Sequence, residues 1–330
     1  MPNLENIEKR IFNISGRDEF EKLALEIFRY QFENNDIYRA FVSGLSINVR
    51  NINHSDQIPF LPIEFFKTHK IVSGNFKPEI IFTSSGTTGE QTSRHFVKYL
   101  KLYENSFQKA FEVFFENTED YVILALLPSY LERDGSSLIY MAEKLIVESK
   151  HTDSGFYLDE YEKLSDLLNV LKSKNQKVLL LGVTYALLDL AEKFPVDFQD
   201  LIVMETGGMK GRRKELLRAE LHKSLKNGFG VKRIYSEYGM TELLSQAYSK
   251  GEGIFQTPPW MRVLIRDTND PLSLLTESKT GGINVIDLAN IHSCSFIATQ
   301  DLGRLHQNGR FEVLGRFDSS DVRGCNLLVE

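Results

Sequence analysis

The chain has 330 residues, 42% hydrophobic and 25% charged, with a net charge of -6 at pH 7. That length and apolar content bury a sizeable core, and the acidic balance argues against general nucleic-acid binding through a basic surface. The opening MPNLENIEKRIFN has no continuous apolar stretch, the run Tyr121 to Leu127 is too short to cross a bilayer, and the two cysteines, Cys294 and Cys325, form neither a disulfide framework nor a zinc spacing. A reducing cytoplasm is the expected home.

From Asp18 to about Leu45, residues Phe20, Leu23, Ile27, Tyr30 and Phe41 fall near helical spacing, with Asp18 as N-cap. The prolines of Ile58-Pro59-Phe60-Leu61-Pro62 forbid a regular helix before Ile63, and Ile63 to Lys67 reads as packed wall. The apolar segment Ile80-Ile81-Phe82 then runs into Thr83-Ser84-Ser85-Gly86-Thr87-Thr88-Gly89. Glycines there let the backbone approach a ligand, and hydroxyls and N–H groups offer donors to phosphate oxygens. The loop is a fitting cradle for a nucleotide triphosphate, with an ordinary surface loop as the plain alternative. It is not a Walker A loop, because no Gly-Lys-Ser/Thr closes it.

A helix is expected over Leu102 to Phe115 and a buried strand over Tyr121 to Leu127, stopped by Pro128. Strand Lys177 to Val183 leads to helix Thr184 to Lys193, and strand Leu201 to Met204 ends in Thr206-Gly207-Gly208-Met209-Lys210. Helix Arg212 to Leu225 and strand Val231 to Tyr235 follow. Alternating strands and helices with glycine loops at strand ends imply an α/β fold, a largely parallel sheet with covered faces. Ligands in such sheets lie beyond the carboxyl ends of the strands. From Arg262 the texture changes to short strands at Arg262 to Ile265, Ile283 to Leu288, Ser295 to Ala298 and Arg310 to Leu314, a small β-rich subdomain.

Four segments combine: the loop Thr83 to Gly89; Tyr235-Ser236-Glu237-Tyr238-Gly239-Met240-Thr241-Glu242; Ala298-Thr299-Gln300-Asp301-Leu302-Gly303-Arg304; and Gly315-Arg316-Phe317-Asp318. In that order they resemble the motifs of the adenylate-forming superfamily, which includes acyl-CoA synthetases and nonribosomal adenylation domains. A closer resemblance, to LuxE-type acyl-protein synthetases, is carried by Leu61-Pro62-Ile63-Glu64-Phe65-Phe66-Lys67, Pro128-Ser129-Tyr130-Leu131-Glu132-Arg133, Gly208-Met209-Lys210-Gly211-Arg212 and the closing segment Gly315 to Cys325. The resemblance implies an enzyme that activates a fatty acid with ATP and takes the acyl group onto a cysteine near its C-terminus, where Cys325 stands. It further implies that Ser84, Ser85, Gly86, Thr87, Thr88 and Gly89 cradle phosphates. Gly207 and Gly208 would flank the purine, Tyr238 with Gly239 would stack on adenine, and Thr241 would touch phosphate.

The chemistry has its own logic. A carboxylate attacking the α-phosphate of ATP brings anions together, so a divalent cation, fixed N–H dipoles and cationic side chains must offset the charge. Glu242 is a hard oxygen ligand suited to Mg2+, or else an ordinary helix-start carboxylate. Asp301 suits both ribose hydroxyls, or is a turn residue before Gly303. Arg316 reaches ribose or phosphate, or is an exposed strand-end arginine. Where the superfamily loop continues with Pro-Lys, this chain has Glu90-Gln91-Thr92-Ser93-Arg94, so Arg94 or Lys98 would supply the positive charge.

Most relatives carry a further small domain with a catalytic lysine after the position of Asp318, and no counterpart follows here. Cys325 offers a replacement nucleophile. The seven residues from Asp318 span roughly 20–25 Å when extended, and Arg323 favours the thiolate. The alternative for Cys325 is a small buried hydrophobe, which is also the reading of Cys294. His292 and His306 match no metal spacing and read as structural.

The expected organisation is an adenylate-forming domain over residues 1–315, with 262–315 as its β-rich subdomain, and a hinge and tail over 316–330 carrying Cys325. The expected activity is ATP- and Mg2+-dependent formation of acyl-AMP from a carboxylic acid, then transfer to Cys325 and on to an acyl-accepting reductase or carrier protein. Two rivals stand beside it. One is a ligase or acyltransferase acting directly on coenzyme A or a carrier thiol, and the other a non-catalytic nucleotide-binding protein.

Overall fold

The computed structural model describes residues 4–84, 91–128, 135–207 and 216–317. The chain divides into two units, residues 1–76 with 259–330, and residues 77–258.

In the first unit, helices Leu4–Ile11, Arg17–Asn34 and Asp36–Gly44 accompany an antiparallel sheet. Its strands lie in the order Met261–Arg266, Thr280–Asp287, Phe296–Leu305, Phe311–Arg316. The short strand Leu61–Pro62 pairs parallel to Phe296–Leu305, placing Leu61 opposite Ile297. The helix expected over residues 18–45 is two helices. Asn35 breaks it, because its backbone is extended and its side chain accepts from the Tyr38 N–H at 3.0 Å, starting a new helix. Asp18 lies inside the first turn, after Gly16 at the cap.

Aromatic rings fill the space between helix and sheet: Phe28 and Tyr38 stand 6.1 and 6.2 Å from Phe296, centroid to centroid. Among them Gln31, fully buried, ties the helix to the sheet edge. Its amide nitrogen donates to the carbonyls of Asn290 and Ile291 at 3.1 and 3.0 Å and contacts the Ser295 hydroxyl at 3.2 Å. Its oxygen accepts from the Ser295 N–H at 3.0 Å.

In the second unit the strands run in the order Gly155–Phe156, Val122–Leu126, Val178–Val183, Ile202–Thr206, Tyr235–Tyr238, Ala247–Ser249, Ile254–Gln256. The first five are mutually parallel, and the last two pairings are antiparallel. Val122–Leu126 and Val178–Val183 are buried at every position, which is why they read as unbroken apolar runs. Helices Leu100–Phe115, Ser137–Ser149, Tyr161–Ser173, Thr184–Lys193 and Arg218–Phe229 accompany the sheet, and a separate hairpin pairs Ile80–Thr83 with Arg94–Val97.

Two expectations shift here. The last helix runs on to Phe229 and stops at Gly230, whose φ of 67° suits glycine. The following strand therefore begins at Tyr235, where Val231 to Tyr235 was expected, and carries Tyr238 at its carboxyl end. Helices Ser137–Ser149 and Tyr161–Ser173 and strand Arg94–Val97 go beyond the sequence reading. No helix among the described residues is long and apolar enough to cross a membrane.

Gln31→Ala should destabilise the chain by about 2–4 kcal/mol, because it strands the Ile291 carbonyl and the Ser295 N–H in an apolar core. Urea unfolding monitored by circular dichroism reads this directly; a change below about 0.5 kcal/mol would show that the amide network is not holding helix to sheet.

Candidate active site

The parallel strands of the second unit end together, and a polar knot joins their carboxyl ends. Glu205 sits one residue from the end of its strand, is 9% exposed, and faces Ser236 across the ladder. The Ser236 hydroxyl donates to Glu205 Oε1 at 2.8 Å. Thr184 Oγ1, on the first residue after the neighbouring strand, lies 3.1 Å from Glu205 Oε2 and 3.0 Å from the Gly207 carbonyl. His222 Nε2 stands 3.6 Å from Glu205 Oε1. Burial pushes the Glu205 carboxyl up, but His222, the charge of Arg218 and the Ser236 hydroxyl outweigh it, so it stays ionised below the ordinary carboxylate range. Gly207, with φ of 59°, is held at the mouth of this knot by its carbonyl.

One strand over, Glu237 accepts a short hydrogen bond from the Thr206 hydroxyl. Burial and the Glu205 charge raise its carboxyl from 4.5 to about 7 against that bond. Tyr238, 9% exposed, pairs with Ala247 and sets its ring edge-on to Phe255 at 5.9 Å. Next comes Gly239. A Cβ there would lie 2.4 Å from Glu237 Oε1 and 3.3 Å from Gln246 Cγ, so only glycine leaves both side chains in place.

Residues 239–246 turn the chain from strand Tyr235–Tyr238 into the antiparallel strand Ala247–Ser249. Glu242 lies in that turn and is 6% exposed, so the helix-start alternative does not hold. The Thr241 carbonyl accepts from His95 Nδ1 at 2.8 Å, which places a proton on that ring nitrogen. His95 is buried on the hairpin strand Arg94–Val97. The hairpin neck is closed by Ser84, whose N–H donates to the Ser93 carbonyl at 3.1 Å and whose hydroxyl accepts from the Ser93 N–H at 2.9 Å. His95 therefore ties the neck of the glycine-rich loop to the Thr241–Glu242 turn. Arg94 is exposed and lies 5.7 Å from the Phe96 ring centroid.

Thus Ser84, Arg94, Gly207, Tyr238, Gly239, Thr241 and Glu242 all belong to the second unit. Asp301 and Arg316 belong to the first. They are register partners on adjacent strands, with Arg316 Nε 3.4 Å from Asp301 Oδ1. Asp301 is a buried strand residue, 8% exposed, which removes the turn alternative. The Arg316 side chain is 80% exposed. Ser85, Gly86, Thr87, Thr88, Gly89, Gly208 and Cys325 lie outside the described residues. Among the described residues no three His, Cys, Asp or Glu gather around a common point.

Thr184, Glu205, Glu237, Gln246 and His95 go beyond the sequence reading. The signal for Glu205 is a carboxylate inside the apolar run Ile202 to Thr206, and for Glu237 a carboxylate beside the aromatic of the Tyr-Gly turn. Gln246 and His95 carry no local signal, because their roles depend on which strands meet.

Comparison with solved structures finds this fold in other proteins. ATP-bound MatB from Rhodopseudomonas palustris is 18% identical with a TM-score of 0.55, over 73% of this chain and 49% of that one. An open conformation of 2-hydroxyisobutyryl-CoA ligase, in complex with 2-HIB-AMP and CoA, is 12% identical with a TM-score of 0.65, over 92% and 71%. The chain therefore spans about half the length of MatB. A search of curated proteins returned no match. The family described as "Acyl-protein synthetase, LuxE" matches residues 13–330. The chain belongs to that family.

Glu237 gives a pH test. Between 4.5 and about 7 it is protonated in the folded chain and ionised in the unfolded one, so its contribution to stability falls as pH rises through that window and is level above it. Glu237→Gln should remove that slope, its melting temperature gaining on wild type up to about pH 7 and then holding a constant difference. Parallel melting curves across the window would contradict the raised carboxyl.

Proposed function

We propose that this chain condenses a fatty acid with ATP to form acyl-AMP and pyrophosphate, and then passes the acyl group to a thiol. The observation that carries this reading is the Tyr238–Glu242 turn, set beyond the carboxyl ends of parallel strands in a chain of the LuxE family. Tyr238 offers the adenine a ring, and Gly207 offers it a flat stretch of backbone. Asp301, with Arg316, is the proposed ribose contact. Thr241, the Ser84–Gly89 loop and Arg94 are the proposed phosphate contacts. Glu242 would hold Mg2+, which when bound offsets charge on the phosphates.

In the first step a carboxylate oxygen attacks the α-phosphorus and pyrophosphate leaves with the electrons of the broken P–O bond. His95 fixes the Thr241 carbonyl and so holds the turn in place against the loop neck while charge shifts. In the second step a thiolate attacks the acyl carbon and AMP departs with the electrons of the C–O bond, leaving a thioester. Cys325 is the proposed acceptor, with a reductase or carrier protein receiving the acyl group next. The 2-hydroxyisobutyryl-CoA ligase structures in complex with 2-HIB-AMP and CoA favour a second reading with direct transfer to coenzyme A.

Purified chain with Mg2+, ATP and a panel of fatty and aryl acids should catalyse acid-dependent exchange of pyrophosphate into ATP. No exchange with any acid sinks the adenylation reading. Glu242→Gln should lower the exchange rate by roughly a hundredfold or more; a change under about threefold would remove Glu242 from the metal role. Intact mass should show a hydroxylamine-labile acyl adduct that Cys325→Ala abolishes. An undiminished adduct, or undiminished thioester formation on coenzyme A, would reject Cys325 as the acceptor.

A further inference from the structure

We propose that the acid activated by this chain carries a hydrogen-bond donor, a hydroxyl or an ammonium group, on its acyl part, and that Glu237 and Gln246 read that group. The proposal rests on the adenylation reading above and narrows its substrate. Along strand Tyr235–Tyr238 side chains alternate: Tyr238 is paired with Ala247, and Glu237 with Tyr248 on the opposite face. Glu237 and Gln246 converge at Gly239, where the missing Cβ leaves the space their side chains occupy.

Both side chains end in acceptors, Gln246 in an amide that also carries donors. Among the described residues the two oxygens of Glu237 receive one hydroxyl, from Thr206. Gln246 is 4% exposed and, among the described residues, nothing donates to its Oε1. No Lys, Arg or His pairs with Glu237 among the described residues. The ionisable groups that face it are Glu205 from strand Ile202–Thr206, Tyr103 from helix Leu100–Phe115 and Tyr248 from strand Ala247–Ser249. The Tyr103 hydroxyl is already donated to the Ser137 carbonyl at 3.0 Å.

A hydrocarbon chain laid against this surface would leave these acceptors unmet and drive off any water that served them, an unfavourable exchange. A hydroxyl or ammonium would satisfy them. A site built to bond a donor rejects the analogue that lacks it far more strongly than an apolar pocket rejects an extra methylene. The Glu237 carboxyl, raised to about 7, becomes fully charged beside an ammonium and accepts from a hydroxyl in either state.

Pyrophosphate exchange with the full chain tests this. The probes are butanoic, hexanoic and octanoic acids, each against its 2-hydroxy, 3-hydroxy, ω-hydroxy and ω-amino counterparts. At least one hydroxy or amino acid should exceed its unsubstituted parent in kcat/KM by about tenfold or more, and the winning arm separates hydroxyl from ammonium. Glu237→Gln and Gln246→Leu should each pull that ratio back toward one. If the unsubstituted acids are preferred, or if the ratio is the same in wild type and both variants, the proposal fails while adenylation stands. No exchange with any acid overturns both. The wild-type ratio decides even where a variant does not fold.

Discussion

A carboxylate buried at the end of a parallel strand has to find donors, and in this chain that requirement organises the candidate site. Glu205 meets it with Ser236 from the next strand and Thr184 from the strand before, so three strand ends are locked to one another. The same Thr184 proton is shared with the Gly207 carbonyl, which fixes the backbone at the proposed purine wall. The Glu205 charge also acts outward. Together with burial, the larger cause, it raises the Glu237 carboxyl, which leaves one strand end with an acceptor rather than a stably paired ion. A hydrophobic residue at position 205 would let the strands pack but would fix none of these groups.

A second link has the same character. His95 bridges the hairpin that carries the glycine-rich loop to the turn that carries Thr241 and Glu242. Both segments are proposed to hold phosphate and metal, and a hydrogen bond from a buried ring joins them. Preorganisation of this kind is what a reaction between two anions requires, since dipoles already in place do not need to reorient as charge moves.

Much of this fold was legible in the sequence where burial is uniform. Val122–Leu126 and Val178–Val183 are enclosed on both faces, so their residues are apolar without alternation, and helix Thr184–Lys193 follows at once. Legibility fell where side-chain chemistry depends on register. Asp301 reads as a ribose contact or as a turn residue before Gly303, and only the register shows it mid-strand opposite Arg316. Asn35 divides a helical pattern by capping rather than by lacking apolar neighbours. The motif residues Tyr238, Gly239, Thr241 and Glu242 stood out in the sequence as a contiguous run. Glu205 and His95 did not, because each acts through a partner far away in sequence, and Gln246 did not, because its place depends on how the chain turns back after Gly239.

The central claim is that the strand ends and the Tyr238–Glu242 turn hold an acid and a nucleotide joined as one acyl-adenylate. Equilibrium binding of a non-hydrolysable acyl-sulfamoyl adenosine, measured by calorimetry on the full chain, addresses it most directly. Complementarity to the activated intermediate predicts affinity about a hundredfold or more above that of AMP. Binding no tighter than AMP would contradict the account.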